Sequence, residues 1–338
     1  MTGKNLNAQK EALFWRGDEK RPGRVVCFLC PFKCILPDGK TGICKAKKNI
    51  GGRLFAISYG LTTSLAMDPI EKKPLYHFYP GTKILSLGPN SCNLDCSFCQ
   101  NFQTSQLKAP TRFISPEEVA HVAKSEGSVG VAYTYTEPLM WYEFIIDTAP
   151  IVRGAGLKNV LVTNAHLEEE PFIKILPLID ALNIDIKSMD PSFYRKICKG
   201  KLEPVLNNVR LTAEAKKVHL EITNLVIPGL NDSEDDFVKL SKFLAGLDPF
   251  IPLHFSRYRP MYRMNIPPTP VETLFKARTI AEKYLKYVFI GNVHDPDGNT
   301  FCPHCRSVVI ERDYSATKVN LKKGKCLKCG NDTKIISE

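Results

Sequence analysis

The sequence predicts an α/β protein whose main body is a partial, open (β/α)6 barrel, with one small four-cysteine module before it and another after it. Three observations lead there. From Lys83 onward, short apolar stretches alternate with helical ones, the pattern of a parallel sheet with right-handed crossovers. Polar residues gather where successive strands end, the place where such sheets hold ligands. Finally, the twelve cysteines fall into three clusters and leave Cys198 as the only single.

At 338 residues the chain can hold one large domain with small satellites. Its 43% apolar and 24% charged content is that of an ordinary globular protein. No apolar run reaches the length of a membrane span. The start, MTGKNLNAQKEALFWRGDEKR, lacks the apolar centre of a signal peptide and reads as a polar, partly helical opening. A cytoplasmic protein without membrane attachment is expected, and there the cysteines point to metal ligation over disulfides. A formal charge of +11 suggests an acidic partner: RNA, an acidic electron donor or an acidic protein. A lysine-rich solubilising surface explains it equally well, since the lysines are spread along the chain.

Residues 1–22 form a tail, 23–80 the first metal module with its linker, 81–295 the barrel and 296–338 the second module. In the first module Cys27, Cys30, Cys34 and Cys44 stand close together. Pro31, Pro37, Gly39 and Gly42 supply the tight turns that a small metal site needs. The metal is zinc or a second iron–sulfur cluster; spacing leaves both open. Strand-like pieces from Leu54 to Leu65 and a proline-punctuated stretch lead to the boundary at Pro80–Gly81.

The barrel begins with a strand at Ile84–Leu87. Ser115 caps a helix with Pro116 in its first position and an acidic first turn. Gly130–Tyr135 is a second strand and Leu139–Ile151 an amphipathic helix. Strands follow at Val160–Thr163, Leu182–Ile186, Leu220–Ile227 and Leu253–Tyr258, with helices near Pro204–Lys217, Ser233–Leu247 and Pro270–Tyr284. Tyr287–Ile290 is one further short strand. Six units fall short of the eight that close a full barrel. At the strand ends stand Thr134 to Glu137, Asn164, Asp185 and Lys187, Ile227, His254, and Ser256 to Tyr258. Singly each has an ordinary explanation: a turn, a solvated pair, a core histidine. Five successive strands with polar groups at one end point to a shared site.

The loop after the first barrel strand reads SCNLDCSFCQN, with Cys92, Cys96 and Cys99 spaced C-x3-C-x2-C. A structural zinc ion wants four protein ligands, and no fourth cysteine is near. An iron–sulfur cluster can use three cysteines and keep one iron open for an outside ligand. With an aromatic residue before the third cysteine, this motif resembles that of radical S-adenosylmethionine (SAM) enzymes. The resemblance extends to AYTYTEPLMWYE, NIDIKSMDPSFYRKICKG, LVIPGLND, IPLHFSRY and YVFIGNV, with NTFCPHC and KCLKCG at the end. The core resembles radical SAM enzymes close to pyruvate formate-lyase activating enzyme, and the nearer match is to the radical SAM member of the AmmeMemoRadiSam system.

That resemblance implies a 4Fe–4S cluster on Cys92, Cys96 and Cys99 and SAM chelating its open iron. One electron would then cleave SAM to a 5′-deoxyadenosyl radical that abstracts hydrogen. It places Phe98 beside the adenine and Thr136 and Glu137 where the family usually reads Gly-Gly-Glu, at SAM's amino group. Asn164, Asp185 and Lys187 match polar SAM-binding positions and Ile227 an adenine contact; on the sixth strand either His254 or Arg257 faces SAM. The implied substrate is macromolecular, protein favoured over RNA, and the electron donor a flavodoxin or ferredoxin type. Cys198, after the fourth strand, is either a hydrogen donor near the site or a buried structural cysteine.

The chain closes on Cys302-x2-Cys305 and Cys326-x2-Cys329, a zinc-ribbon spacing, with rubredoxin-like iron as the alternative; His304 and His294 are nearby. Three functions follow: hydrogen abstraction from a protein, creating a glycyl radical; radical modification of RNA or another substrate; and a non-catalytic multi-zinc binding protein.

Overall fold

The computed structural model describes residues 10–293, 295, 298–313 and 316–338. Its centre is one nine-stranded sheet. In chain order its strands are β1 (Leu61–Pro69), β2 (Lys83–Pro89), β3 (Arg112–Phe113), β4 (Gly130–Tyr133), β5 (Lys158–Thr163), β6 (Ala181–Asp185), β7 (His219–Val226), β8 (Leu253–Arg257) and β9 (Val288–Gly291). In space they run β9-β8-β7-β6-β5-β4-β2-β1-β3, and the two edges do not pair. From β2 through β4 to β9 every pairing is parallel, while β1 is antiparallel to β2 and to β3.

The parallel strands are apolar and buried on both faces, as crossover helices require; all four residues of β4 are buried. The crossovers include α1 (Pro116–Ser125), α2 (Tyr142–Gly154), α3 (Glu169–Ile175), α4 (Glu203–Glu214), α5 (Glu234–Ala245) and α6 (Val271–Ala281). Ser115 and Glu118 form a reciprocal capping box on α1, and Ser233 and Asp236 do the same on α5. Each helix buries one apolar stripe, for α1 Val119, Ala120 and Ala123.

The further short strand expected at Tyr287–Ile290 is present as β9, a seventh parallel strand that adds to β8 in register, Phe289 opposite His254. Three expectations need correction. The main sheet does not begin at residue 81: β1 lies before it and pairs with β2 from Asp68↔Ile84 to Leu65↔Leu87 and beyond. The described part of the opening segment is not helical; Trp15–Gly17 is a strand against Val25–Cys27. Residues 1–9 lie outside the described residues. Finally, the stretch after Glu137 starts as a 3-10 turn, Pro138–Trp141, and becomes α-helical only at Tyr142.

Between β1 and β2 the chain forms a strap, Ile70 to His77, held across the sheet by side chains of later strands. Asn183 on β6 donates to Pro74 O at 2.8 Å, and Glu221 on β7 accepts from Tyr76 N and His77 N at 3.0 and 2.7 Å. The C-terminal segment docks on the outer side of this strap. Tyr79 N donates to Ile336 O at 2.6 Å, Ile336 N to His77 O at 2.9 Å, and Arg312 to Tyr76 O at 2.8 Å. At the other end of the chain, a buried ion pair between Lys47 and Glu143 ties the first cysteine module to α2. No helix among the described residues is long and apolar enough to cross a membrane.

Candidate active site

A cavity of about 420 Å³ opens at the carboxyl ends of the parallel strands, within the size range of small-molecule sites. Cys92, Cys96 and Cys99 all line it, carried by the loop that leaves β2 at Pro89. The loop is fixed from several sides. Glu137 N donates to Ser91 O at 3.2 Å, and Asn101 Nδ2 to Tyr135 O at 2.5 Å. Asn93 Nδ2 donates to His166 O at 2.6 Å, while Asp95 N and Ser97 N donate to Cys198 O and Ile197 O at 3.1 and 3.0 Å.

The three sulfurs differ in their surroundings. Leu94 N approaches Cys92 Sγ at 3.4 Å, Asn164 Nδ2 approaches it at 3.8 Å, and Ser105 Oγ lies 3.3 Å from Cys99 Sγ. The Cys198 thiol is within hydrogen-bond reach of Cys96. That bond, the largest effect, and the nearby Lys187 hold the Cys96 thiol below its ordinary pKa against burial. Burial pushes Cys92 well up. Such buried thiols are stable as thiolates only when a cation compensates them.

The donor set fits an iron–sulfur cluster. Three thiols face one cavity, and the two carboxylates of its lining are already engaged, Glu137 by hydrogen bonds and Asp185 by Lys187. The three sulfurs are not gathered as closely as ligands of a single ion. Among the described residues only Cys302, Cys305, Cys326 and Cys329 bring their sulfurs within 4.8 Å of one another. A cluster of several irons spaces its thiolates more widely than one ion does.

Glu137 is fully buried and accepts from Thr163 Oγ1 at 2.6 Å, Asn164 N at 2.7 Å and Leu139 N at 3.0 Å. Burial nevertheless dominates and lifts its carboxyl to about 7. Lys187 Nζ lies 3.1 Å from Asp185 Oδ2 and 5.9 Å from the centre of the Phe98 ring. Burial works against its charge, but Asp185 and the thiols of Cys96 and Cys198 outweigh it and keep the ammonium protonated. The cavity therefore holds both a carboxyl group, Glu137, and an ammonium, Lys187.

Phe98, Thr136, Glu137, Asn164, Asp185 and Lys187 all line this cavity with the three cysteines. His254 does not. It lies deeper on β8, buried, with Nε2 2.6 Å from Glu221 Oε2. Ser256, two residues on and so on the same face of the strand, lines the cavity in its place. Arg257 turns away and donates to Thr269 O at 2.8 Å. Ile227 is buried beyond the end of β7, whose Thr223 and Leu225 reach the cavity instead. Alternation along the strand identifies the face but not the height.

Tyr135 and Thr136 stand where the resemblance has two glycines, and Tyr135 takes the left-handed conformation, φ +68°. Thr136 donates its hydroxyl to Pro89 O at 2.8 Å, tying the turn to the end of β2. Gly88 makes the approach possible, since a Cβ there would overlap Thr134 O. The cavity also takes in Lys72, Lys73 and Pro74 of the strap, which no sequence pattern marks.

Outside the cavity, Cys302 and Cys329 sulfurs are 3.7 Å apart and those of Cys305 and Cys326 3.8 Å. A tetrahedral ion with metal–sulfur bonds of about 2.3 Å spaces its ligands at about 3.8 Å, so the four are set for one zinc-sized ion. His304 is exposed and takes no part; His294 lies outside the described residues. In the first module Cys27, Cys30, Cys34 and Cys44 line one closed cavity of about 10 Å³ without gathering so tightly. Burial pushes the Cys27 thiol up to about 11 and raises Cys44 as well.

A sheet of this topology, with three cysteines after its first parallel strand, defines a class. Residues 88–241 match the family model of the radical SAM superfamily. The chain is 44% identical to Uncharacterized protein MJ0808 of Methanocaldococcus jannaschii, over 97% of this chain and 99% of that protein. It is 26% identical to the (2S)-3-sulfopropanediol dehydratase activating enzyme of Klebsiella oxytoca, covering 67% of this chain and 73% of the relative. The crystal structure of Streptococcus suis SuiB bound to S-adenosylmethionine shares the fold, with a TM-score of 0.50 at 16% identity over 64% of this chain and 50% of that one.

Proposed function

We propose that this chain is a radical SAM enzyme of the glycyl-radical-activating type, and the radical SAM member of the AmmeMemoRadiSam system. One observation carries the reading: Cys92, Cys96 and Cys99 face the same cavity as Glu137, Asn164, Asp185 and Lys187. The cysteines hold the 4Fe–4S cluster, which with SAM supplies a hydrogen-abstracting radical when both are bound. The protein's own residues bind and orient. Glu137 holds SAM's amino group, Lys187 its carboxylate, Asn164 supports Cys92, and Phe98 flanks the adenine. The unclosed sheet corresponds to a partial barrel.

Relatives named as activating enzymes favour a protein glycine as the hydrogen source over RNA. The electron donor is of flavodoxin or ferredoxin type. Cys302, Cys305, Cys326 and Cys329 hold zinc, and Cys27, Cys30, Cys34 and Cys44 hold zinc or a second cluster. A non-catalytic multi-zinc protein leaves the polar cavity unexplained. The test is anaerobic incubation with reductant, SAM and candidate proteins carrying deuterated glycine. Deuterium in 5′-deoxyadenosine supports the reading; label entering only from an RNA substrate overturns the protein assignment.

A further inference from the structure

Opposite the cysteines the cavity ends on a second charged centre. Asp68, near the end of β1, accepts from Lys73 Nζ at 2.7 Å, Lys72 Nζ at 2.8 Å and Tyr135 OH at 2.5 Å. Lys73 is only 2% exposed, yet it lines the cavity together with Lys72 and Tyr135. Its ammonium also lies 4.4 Å from the centre of the Tyr135 ring. Two ammonium groups thus share one carboxylate, the one on Lys73 buried and the one on Lys72 largely exposed, and the centre carries an excess of one positive charge. An ammonium has three donors, and Asp68 takes one of those on Lys73.

The placement is built. Asn183 and Glu221 pin the strap on either side of Leu75, which fixes where Lys73 stands. Tyr135 reaches Asp68 from a left-handed backbone that is strained for a non-glycine residue. A glycine there would avoid the strain but bring no phenol. The centre is also set back from the cysteine loop, although Tyr135 adjoins Thr136 in the chain. Asp68 pairs with Ile84, and the cysteine loop begins after Pro89, about 17 Å further along the strand.

We infer that Lys73, with Lys72, Tyr135 and Asp68, is the site that takes an anionic group of the substrate, a carboxylate or a phosphate. This rests on the proposal that the cavity is the reaction chamber, and it adds a substrate class to it. Asp68 holds the two lysines in place until the anion arrives, and Tyr135, whose hydroxyl donates to Asp68, fixes that carboxylate. Lysine suits this task because its ammonium is a compact point charge that binds either anion.

The test is calorimetric titration of the full, cluster-reconstituted, SAM-saturated chain with inorganic phosphate and, separately, acetate at constant ionic strength. The wild type binds one equivalent of at least one probe, and the preferred probe tells phosphate from carboxylate. Lys73→Met weakens that binding at least tenfold. Asp68→Asn, nearly isosteric, strengthens it several-fold because it removes the competing charge, a gain that a merely structural role would not give. SAM affinity stays at the wild-type value in both variants. A wild type that binds SAM but neither probe overturns the inference, as does an Asp68→Asn variant that folds and binds anions no better. A wild type that does not bind SAM overturns the reading of the cavity, and this inference with it.

Discussion

His254 Nε2 stands 2.6 Å from Glu221 Oε2, in the interior between strap and sheet rather than at the SAM-facing mouth. The same carboxylate receives His219 Nε2 at 2.9 Å and the amides of Tyr76 and His77. Burial opposes its charge, but these partners outweigh it and hold Glu221 well below the ordinary carboxylate range. A depressed folded pKa means stability that is present above the unfolded value and lost as pH falls. Glu221→Ala leaves four donors unpaired in the interior. We expect a loss of about 3–5 kcal/mol in denaturant unfolding, with the SAM affinity of the remaining folded fraction unchanged. A stable variant with impaired SAM binding would return His254 to the site.

Cys96→Ala should abolish the reconstituted cluster while the sheet persists, because the cysteine sits on a loop and its loss opens little of the apolar interior. Iron and sulfide content, visible absorbance and circular dichroism measure the two halves of this statement. Wild-type SAM cleavage by the variant would exclude Cys96 as a ligand.

Lys187→Met should weaken SAM binding at least tenfold, the result of losing a charge-assisted contact of about 1.5–3 kcal/mol. The effect on folding should be smaller, since methionine fills the same space and Asp185 is part-exposed. Direct titration with SAM decides; unchanged affinity removes Lys187 from the site.

Glu137 gives the site a pH dependence. Its carboxyl is lifted to about 7 by burial, so the folded chain holds this proton more tightly than the unfolded one. Its contribution to stability therefore declines as pH rises from the ordinary carboxylate range to about 7. Binding an ammonium needs the ionised form, so SAM affinity should rise roughly tenfold from pH 6 to pH 8. Glu137→Gln should bind more weakly and flatten that profile. A wild-type profile equally flat would show that Glu137 does not meet SAM's amino group.

Cys305→Ser should loosen the C-terminal segment while iron content and basal SAM cleavage stay near wild type. Small metal modules draw much of their folding free energy from the ion. Because Ile336 and Thr333 bond to His77 and Tyr287, the loosening should extend to the strap, visible as faster amide exchange at residues 76–79. Loss of cluster iron instead would mean that the metals are assigned to the wrong cysteines.

What the sequence determined by itself was local. Cys92, Cys96 and Cys99 were legible as one set because only five other residues stand among them, and the two late Cys-x2-Cys pairs were legible for the same reason. Most strands and helices from Lys83 to Gly291 were legible because apolar periodicity and caps such as Ser115 act over a few residues, but the short helix Glu169–Ile175 and the two-residue strand Arg112–Phe113 were not expected. The tertiary structure decided what depends on register between distant segments. Alternation put His254 and Ser256 on one face, but only the pairing of β8 with β7 and the strap above Glu221 set which of them reaches the cavity. It also drew Lys72 and Lys73 from ahead of the supposed boundary to the cavity, because β1 adds to the sheet beside β2. Height along a strand is fixed by hydrogen bonds between neighbours far apart in the chain, and no short stretch of sequence carries that information.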